Sequence, residues 1–244
     1  MTGRAGDVAT HLVWAAQGRP DLVRRYGSAL AVAAPGLSGR DRIAVSGDAD
    51  DAVPLVRDLL AELGPGFRPF GDAGLIAALA RRIPGLAPTE PFYWMETAAP
   101  GRPPRTETAA PGGASGAFGV RWLDAAEERM PEPLFERWFP RSHAQPGRSG
   151  VSRWAGVHGG SGLLAVAADA WSAAGCGFVA GVVTAPEARG RGLGTAVCRF
   201  VVDALVREHG RAALMVDAGN MPAVAAYERI GMTERLFDAA AVVA

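Results

Sequence analysis

The segment 189–194 has the composition best suited to chemistry in this chain. It follows an apolar run that ends at Pro186, and arginines alternate in it with glycines: Arg189-Gly190-Arg191-Gly192-Leu193-Gly194. Glycines let a ligand approach backbone N–H groups without obstruction, and a helix that begins at Thr195 adds its own free N–H groups and dipole. Guanidinium groups donate charge-assisted hydrogen bonds to oxyanions. The sequence therefore predicts a turn that binds a pyrophosphate.

Two other kinds of glycine loop fit this segment poorly. A P-loop needs a lysine after its last glycine, and the chain contains no lysine. A dinucleotide fingerprint starting at Gly190 needs a small residue where Thr195 stands, and an acidic residue about 20 positions further on. Asp217 is the nearest acid, at an unsuitable spacing. In a chain with 32 glycines a plain tight turn is the remaining alternative.

The elements around this turn alternate between strand and helix patterns. The segment 177–184 is apolar on both faces, as in a central strand covered by helices on each side. Apolar residues recur on one face of 195–208, which predicts a helix that ends at Gly210. Further strands or helices are predicted in this half at 120–123 (strand), 125–139 (helix), 151–158, 163–168 and 214–217 (strands), from Asn220 (helix) and at 233–243 (strand), with a loop at 140–150.

Residues 97–117 divide the chain into two parts of similar size. They are almost entirely Ala, Pro, Gly, Thr and Ser, a composition that cannot bury enough apolar surface to fold and predicts a flexible linker. The preceding part is predicted to hold a strand, two helices and a strand, at 42–46, 50–63, 74–83 and 92–95. It contains no glycine-arginine loop.

Two motifs, in order, resemble those of the GCN5-related N-acetyltransferase (GNAT) family. The first is Arg189-x-x-Gly192-x-Gly194, and the second combines Asn220, Tyr227 and Gly231 at the spacing of the family's second cofactor helix. The resemblance covers residues 118–244, the predicted acetyltransferase domain. It implies an α/β fold with a mixed central sheet flanked by helices, and makes residues 1–96 an α/β helper domain compatible with a degenerate copy of the same fold.

The resemblance also implies a reaction in which acetyl-CoA donates its acetyl group directly to an amine. The turn would hold the pyrophosphate, and the backbone at the end of strand 177–184 would pair with the pantetheine amides as an added strand does. Tyr227 would donate a hydrogen bond to the leaving sulfur, or act as a general acid. Asn220 would contact the cofactor or cap its helix. The predicted cofactor-binding residues are Val182, Val183, Thr184, Arg189, Gly190, Arg191, Gly192, Leu193, Gly194, Thr195 and Asn220.

The catalytic base stays open. Many members of the family place a glutamate on or beside the central strand, and 177–184 contains no acid. Asp169, His143 and His158 are candidates, although each is more expected as a surface or loop residue. The missing acid leaves an acyl-CoA-binding sensor without turnover as the alternative function. A longer acyl donor is a third possibility.

Composition excludes several other classes of partner. The 25 basic and 25 acidic residues cancel, whereas a nucleic-acid-binding domain usually has a basic excess. No segment approaches the about 18 apolar residues of a membrane span. The four histidines and two cysteines lack metal-ligand spacing. We therefore predict a cytoplasmic protein without a metal, acting on a small-molecule or peptide amine. A C-terminal strand exchanged between subunits is compatible with a homodimer.

Overall fold

A computed structural model describes residues 9–99, 118–160 and 162–243. Most of the predicted linker, residues 100–117, lies outside them. The α-helices of the described part are α1 (Thr10–Ala16), α2 (Ala49–Leu63), α3 (Ala73–Arg82), α4 (Glu132–Trp138), α5 (Leu193–His209) and α6 (Met221–Arg229). The strands are β1 (Val23–Tyr26), β2 (Ala29–Ala34), β3 (Arg42–Ser46), β4 (Arg68–Asp72), β5 (Leu86–Pro88), β6 (Phe92–Thr97), β7 (Arg121–Trp122), β8 (Val151–Gly159), β9 (Gly162–Ala170), β10 (Gly177–Thr184), β11 (Ala212–Asp217) and β12 (Thr233–Val242).

The twelve strands of the described residues join one mixed sheet. Its order is β1-β2-β3-β4-β12-β6-β11-β10-β9-β8-β7, and β5 pairs with β12. The parallel neighbours in this order are β3 with β4 and β10 with β11. Each parallel pair is connected through a long helix, and a second helix follows, which gives β3-α2-β4-α3 and β10-α5-β11-α6. The predicted mixed central sheet flanked by helices is confirmed, and its two halves repeat one order of elements.

The two halves exchange strands across the middle of the sheet. β6 precedes the linker in sequence, yet it lies between β11 and β12, which follow the linker. Conversely, β12 pairs with β6 through residues 233–237 and then with β4 and β5 through residues 237–242. The predicted linker thus divides the chain in sequence only, because the hydrogen-bonded sheet is continuous across the two halves.

Helices cover both faces of the sheet. α5 packs on β8 to β11, α2 packs on β1 to β3, and α3 packs on β12, β5 and β4. The short helix α1, which the sequence pattern does not indicate, contributes to an aromatic cluster at the centre, where Trp14 stacks on Phe178 with 4.4 Å between ring centroids. Trp94 and Phe237 belong to the same buried cluster. Among the described residues, no helix combines the length and apolarity needed to cross a membrane.

The predicted helix 125–139 is wrong in its continuity. The structure has a single 3-10 turn at Ala125–Glu127, followed by the separate helix α4. Asp124 and Glu127 form a reciprocal capping box that closes the first turn. Pro131 and Pro133 have no backbone N–H to donate, so a helix that began at residue 125 could not continue through them. Proline is tolerated at the start of a helix, where α4 has both residues.

His11 connects α1 to the sheet of the amino-terminal half. Its side chain is buried, and the Nε2–H donates to the carbonyl oxygen of Val45 at 3.0 Å. The ring also meets Phe237 edge-on, with centroids 4.9 Å apart. Burial lowers the pKa of His11 from 6.5 to about 4, because desolvation disfavours the charged imidazolium.

We expect Phe237→Ala to lower the free energy of unfolding by about 3–5 kcal/mol, the usual cost of removing a buried aromatic ring. Phe237 is fully buried where β12 passes from β6 to β4. The neighbouring Leu236 is 47% exposed, so Leu236→Ala is the matched control and should cost less than about 1 kcal/mol. Urea unfolding of both variants measures the difference. Equal losses would show that the strand crossing does not stabilise the fold.

We expect acid to destabilise the fold partly through His11. The pKa of His11 is lower in the folded chain than in the unfolded one. Between pH 6.5 and about 4, His11 is therefore protonated in the unfolded chain and neutral in the folded chain, so the free energy of unfolding falls as pH falls. His11→Gln should remove up to about 1.4 kcal/mol per pH unit of this slope. Denaturant unfolding at several pH values measures it, with His209→Gln as control. The same slope in His11→Gln and wild type would contradict the assignment.

Candidate active site

β10 and β11 separate soon after they begin to pair. Their parallel register consists of Gly177 with Ala212 and Phe178 with Ala213, although β10 continues to Thr184 and β11 to Asp217. The outer edges stay paired, β10 with β9 and β11 with β6. Between the separated ends lies a split that opens at the carboxyl ends of two parallel strands, where α/β folds bind ligands.

An irregularity in β10 accompanies the separation. The β9–β10 register shifts between Ala180 and Val183, so the two residues 181 and 182 face one residue of β9. Gly181 has φ +61°, and a Cβ there would lie 2.6 Å from the Trp154 ring and 3.2 Å from Ala144. Only glycine fits both this backbone and this contact. The bulge therefore turns the backbone of Val182 and Val183 relative to the first half of the strand.

The glycine-arginine turn closes one end of the split. After a 3-10 turn at Pro186–Ala188, the backbone passes through Gly190 and Gly192 at φ +73° and +78°, and Gly192 is the N-cap of α5. No side chain caps this helix, and its first turn contains no acidic residue. The N–H groups at the start of a 17-residue helix therefore remain available to an anion.

The side chains of the turn divide into exposed and packed ones. Arg189 and Arg191 are exposed, and Arg189 Nε donates to the Thr184 carbonyl at 3.3 Å. Leu193 is buried, so its backbone N–H is the group that it can offer a ligand. At Gly194 a Cβ would lie 2.8 Å from Thr184 Oγ1. This glycine lets α5 start directly against β10.

Tyr227 lies in the buried cluster beneath the split. It is 7% exposed and packs in one cluster with Val183, Leu193 and Cys198. Burial, with a smaller contribution from Cys198, raises the pKa of Tyr227 well above 10. Burial alone raises the pKa of the Cys198 thiol to about 12. At neutral pH, Tyr227 is therefore a hydrogen-bond donor, and Cys198 is an unreactive thiol.

Asn220 is the N-cap of α6, and its side-chain oxygen accepts from the Ala223 N–H at 3.4 Å. The sequence leaves two roles open for Asn220, contact with the cofactor and capping of its helix, and the structure shows the helix cap. The predicted residues Val182, Val183, Thr184, Arg189 to Thr195 and Tyr227 come together around the split. The sequence pattern gave no indication that Trp154 would reach Gly181, although a glycine inside an apolar strand is itself a signal of a bulge.

The candidate bases are engaged elsewhere. Asp169, expected at the surface or in a loop, is instead buried within β9, where it pairs with Arg153 at 3.1 Å and accepts from Ser172 Oγ at 2.6 Å. His158 contacts Glu127 at 3.1 Å. His143 lies 3.3 Å from Arg40 Nε. No group of three or more His, Cys, Asp or Glu side chains in the described ranges could hold a metal ion.

The corresponding place in the amino-terminal half is built differently. β3 and β4 stay close beyond their last pair. The approach is so tight that a Cβ at Gly71 would lie 2.5 Å from the Val45 carbonyl oxygen. His11 donates to that same carbonyl. The first turn of α2 contains Asp50 and Asp51, and Asp51 accepts from the Ser28 N–H at 2.7 Å. The cavity at this place, about 400 Å³, is lined by Asp48 and Asp72 at the ends of the strands. These carboxylates and the acidic start of α2 oppose the binding of a diphosphate.

Comparison with known proteins agrees with this geometry. The model of the acetyltransferase (GNAT) family matches residues 118–232. A GCN5-related N-acetyltransferase from Kribbella flavida has the same fold, with a TM-score of 0.62 and 16% identity over 98% of this chain and 96% of that one. A GNAT-family protein from Novosphingobium aromaticivorans aligns with a TM-score of 0.53 and 21% identity, over 94% and 95% of the two chains.

A third structure, a GCN5-related N-acetyltransferase from Sphaerobacter thermophilus, has a TM-score of 0.53 and 16% identity over 87% of this chain and 75% of that one. At these identities the likeness is one of fold, and it extends over both halves of the chain. No curated protein matches the chain in sequence. The family match and the shared fold together identify residues 118–232 as an acetyltransferase domain of the GNAT family.

Proposed function

We propose that the protein transfers an acetyl group from acetyl-CoA to an amine by direct attack, with residues 118–244 catalytic and 1–96 a helper. The observation that carries this proposal is the split between β10 and β11, with an uncapped helix start and two exposed arginines at its end. The oxygens of a pyrophosphate would accept hydrogen bonds from the N–H groups at the start of α5 and from the guanidinium groups of Arg189 and Arg191.

The pantetheine arm would lie along the free edge of β10 and hydrogen-bond as an additional strand would. Val182 and Val183 supply the backbone there, after the bulge at Gly181. An N–H group in this position, held rigid by the sheet, would also stabilise negative charge on the thioester oxygen as the amine attacks. The amine nitrogen forms the new C–N bond, the C–S bond breaks, and the amine proton leaves to solvent or to a base.

Tyr227 is the residue to which we assign assistance in the departure of sulfur. Because burial keeps its hydroxyl protonated, it can donate a hydrogen bond to the developing thiolate. Full proton transfer from so weak an acid to a thiolate is uphill. The assistance is therefore assigned to hydrogen bonding, and Tyr227 would act from beneath the split, opposite the incoming amine.

A second candidate function is an acyl-CoA-binding sensor without turnover. The observation in its favour is that β10 carries no acid and that the nearby Asp169 is held by Arg153 and Ser172. An amine that reaches the site already deprotonated needs no base, which keeps transfer the leading proposal. Release of CoA in the presence of a panel of amines separates the two functions, since a sensor would bind acetyl-CoA without releasing CoA.

We expect Arg189→Ala/Arg191→Ala to weaken acetyl-CoA binding between about tenfold and a hundredfold, because two charge-assisted contacts are lost. Arg57→Ala/Arg81→Ala is a charge-matched control, since both arginines are exposed on α2 and α3. Titration calorimetry with acetyl-CoA measures both. Equal affinity in the two double variants would refute the assignment of the turn.

We expect Tyr227→Phe to lower kcat by about 100-fold or more while leaving acetyl-CoA affinity unchanged. The substitution keeps the buried ring and removes the donor. Tyr93→Phe, on β6 against the same cluster, is the control and should retain activity. Since burial raises the pKa of Tyr227 well above 10, kcat should not fall through its ionisation up to about pH 10. A kcat close to wild type in Tyr227→Phe would remove this residue from the mechanism.

A further inference from the structure

A cavity lies between the two halves of the chain. It has a volume of about 460 Å³ and is lined by segments 15–22 and 34–39 of the amino-terminal half. The opposite wall comes from the carboxy-terminal half, through His143, residues 148–150 and Trp171. Neither half forms this cavity alone.

The charged side chains that line the cavity are all arginines. Arg19 and Arg148 line it with His143, whose ring accepts from Arg40 Nε at 3.3 Å, and no Asp or Glu is among the lining residues. Asp41, close by in sequence, is directed to the Gly36 N–H at 2.8 Å. Burial and the charges of Arg40, Arg42 and Arg148 lower the pKa of His143. In a chain with zero net charge, such a cluster favours an anion.

Backbone strain is concentrated at the same cavity. Within the described ranges, the non-glycine residues with positive φ are Gln17 (48°), Ser38 (53°) and Trp171 (54°). Gln17 and Trp171 line the cavity, and Ser38 lies between two lining residues. Left-handed backbone at such residues costs energy and clusters at ligand-binding sites. The three strained residues come from separate segments of the chain and lie in or beside the wall of this one cavity.

Hydrogen bonds hold the strained residues in position. The Trp171 carbonyl accepts from Trp14 Nε1 at 3.0 Å and from Gln17 Nε2 at 2.9 Å. The Trp171 N–H donates to the Gly150 carbonyl at 2.6 Å. Trp171 therefore joins α1 of one half to the loop 140–150 of the other, and the wall of the cavity is preorganised.

The loop 140–150 also connects the cavity to the split. His143 lines the cavity, and the next residue, Ala144, packs against the bulge at Gly181. An acceptor whose amine lies in the split would reach the cavity along this loop. The cavity lies on the side of β10 that Trp154 and Ala144 cover.

We propose that this cavity binds a carboxylate or phosphate group of the acceptor, so that the substrate is an amine that also carries an acidic group. Arg19 from the amino-terminal half and Arg148 from the carboxy-terminal half bind the anion. The identification of the anion's carrier as the acceptor rests on the proposed acetyl transfer, whereas anion binding itself does not. The amino-terminal half thereby completes the substrate site.

Anion binding is tested directly on the full chain with succinate and with inorganic phosphate as probes. In calorimetric titrations in the presence of acetyl-CoA, Arg19→Ala/Arg148→Ala should weaken binding of the preferred probe by about tenfold or more. Arg57→Ala/Arg81→Ala should bind it as wild type does. Unchanged acetyl-CoA affinity verifies that the cavity variant is folded. If wild type binds neither probe, or if both double variants bind alike, the proposal is wrong.

Catalysis supplies the second test. Amines are compared in pairs that differ in the acidic group, such as L-serine with L-serinamide and phosphoethanolamine with ethanolamine, by the rate of CoA release. The acidic member should have a kcat/KM at least about tenfold higher, and Arg19→Ala/Arg148→Ala should remove this preference. Equal rates within each pair would overturn the proposal. Probe binding without release of CoA from any amine would retain the anion site and refute the proposed transfer.

Discussion

The separation of β10 from β11 after two residue pairs is the constraint on which the site depends. Strands that end their pairing early leave N–H and C=O groups that need partners, and the free edge becomes a surface for an extended ligand. The bulge at Gly181 permits the separation, because it turns the second half of β10 while β9 still holds its outer edge. β6 fixes the other side by pairing with β11 along its whole length. The split is therefore a built feature of the sheet.

The amino-terminal half shows which details of this arrangement matter. It has the same parallel pair and the same long helix, but Gly71 lets β4 approach Val45 closely, and His11 donates to the carbonyl of Val45. The first turn of its helix contains two carboxylates, whereas the first turn of α5 has none and follows the turn that carries Arg189 and Arg191. The two halves share one topology but thus differ in how closely the parallel strands approach each other and in the charge at the helix start. Topology alone does not make a diphosphate site.

The sequence predicts those parts of the fold that local patterns determine. The helices α2 and α5 and the strands β3 and β10 follow from periodicity and from glycines at their ends, and the glycine-arginine turn follows from composition. The place of β6 between β11 and β12 could not be predicted, because strand pairing depends on residues more than a hundred positions away. Helix α1 has seven residues, too few for a periodic signal, and the burial of Asp169 depends on Arg153 and Ser172, which only the folded chain brings to it.

The exchange of strands makes the amino-terminal half a structural part of the sheet. β6 supplies a strand without which β11 would have a bare edge, and β12 returns a strand to the other half. Because each half contributes to the sheet of the other, the two cannot separate without breaking main-chain hydrogen bonds, and their relative position is fixed. A fixed interface can hold strained residues such as Trp171. Two side chains of the other half, Trp14 and Gln17, donate hydrogen bonds to its carbonyl oxygen. The same fixed interface lets residues of the amino-terminal half form one wall of the cavity between the halves.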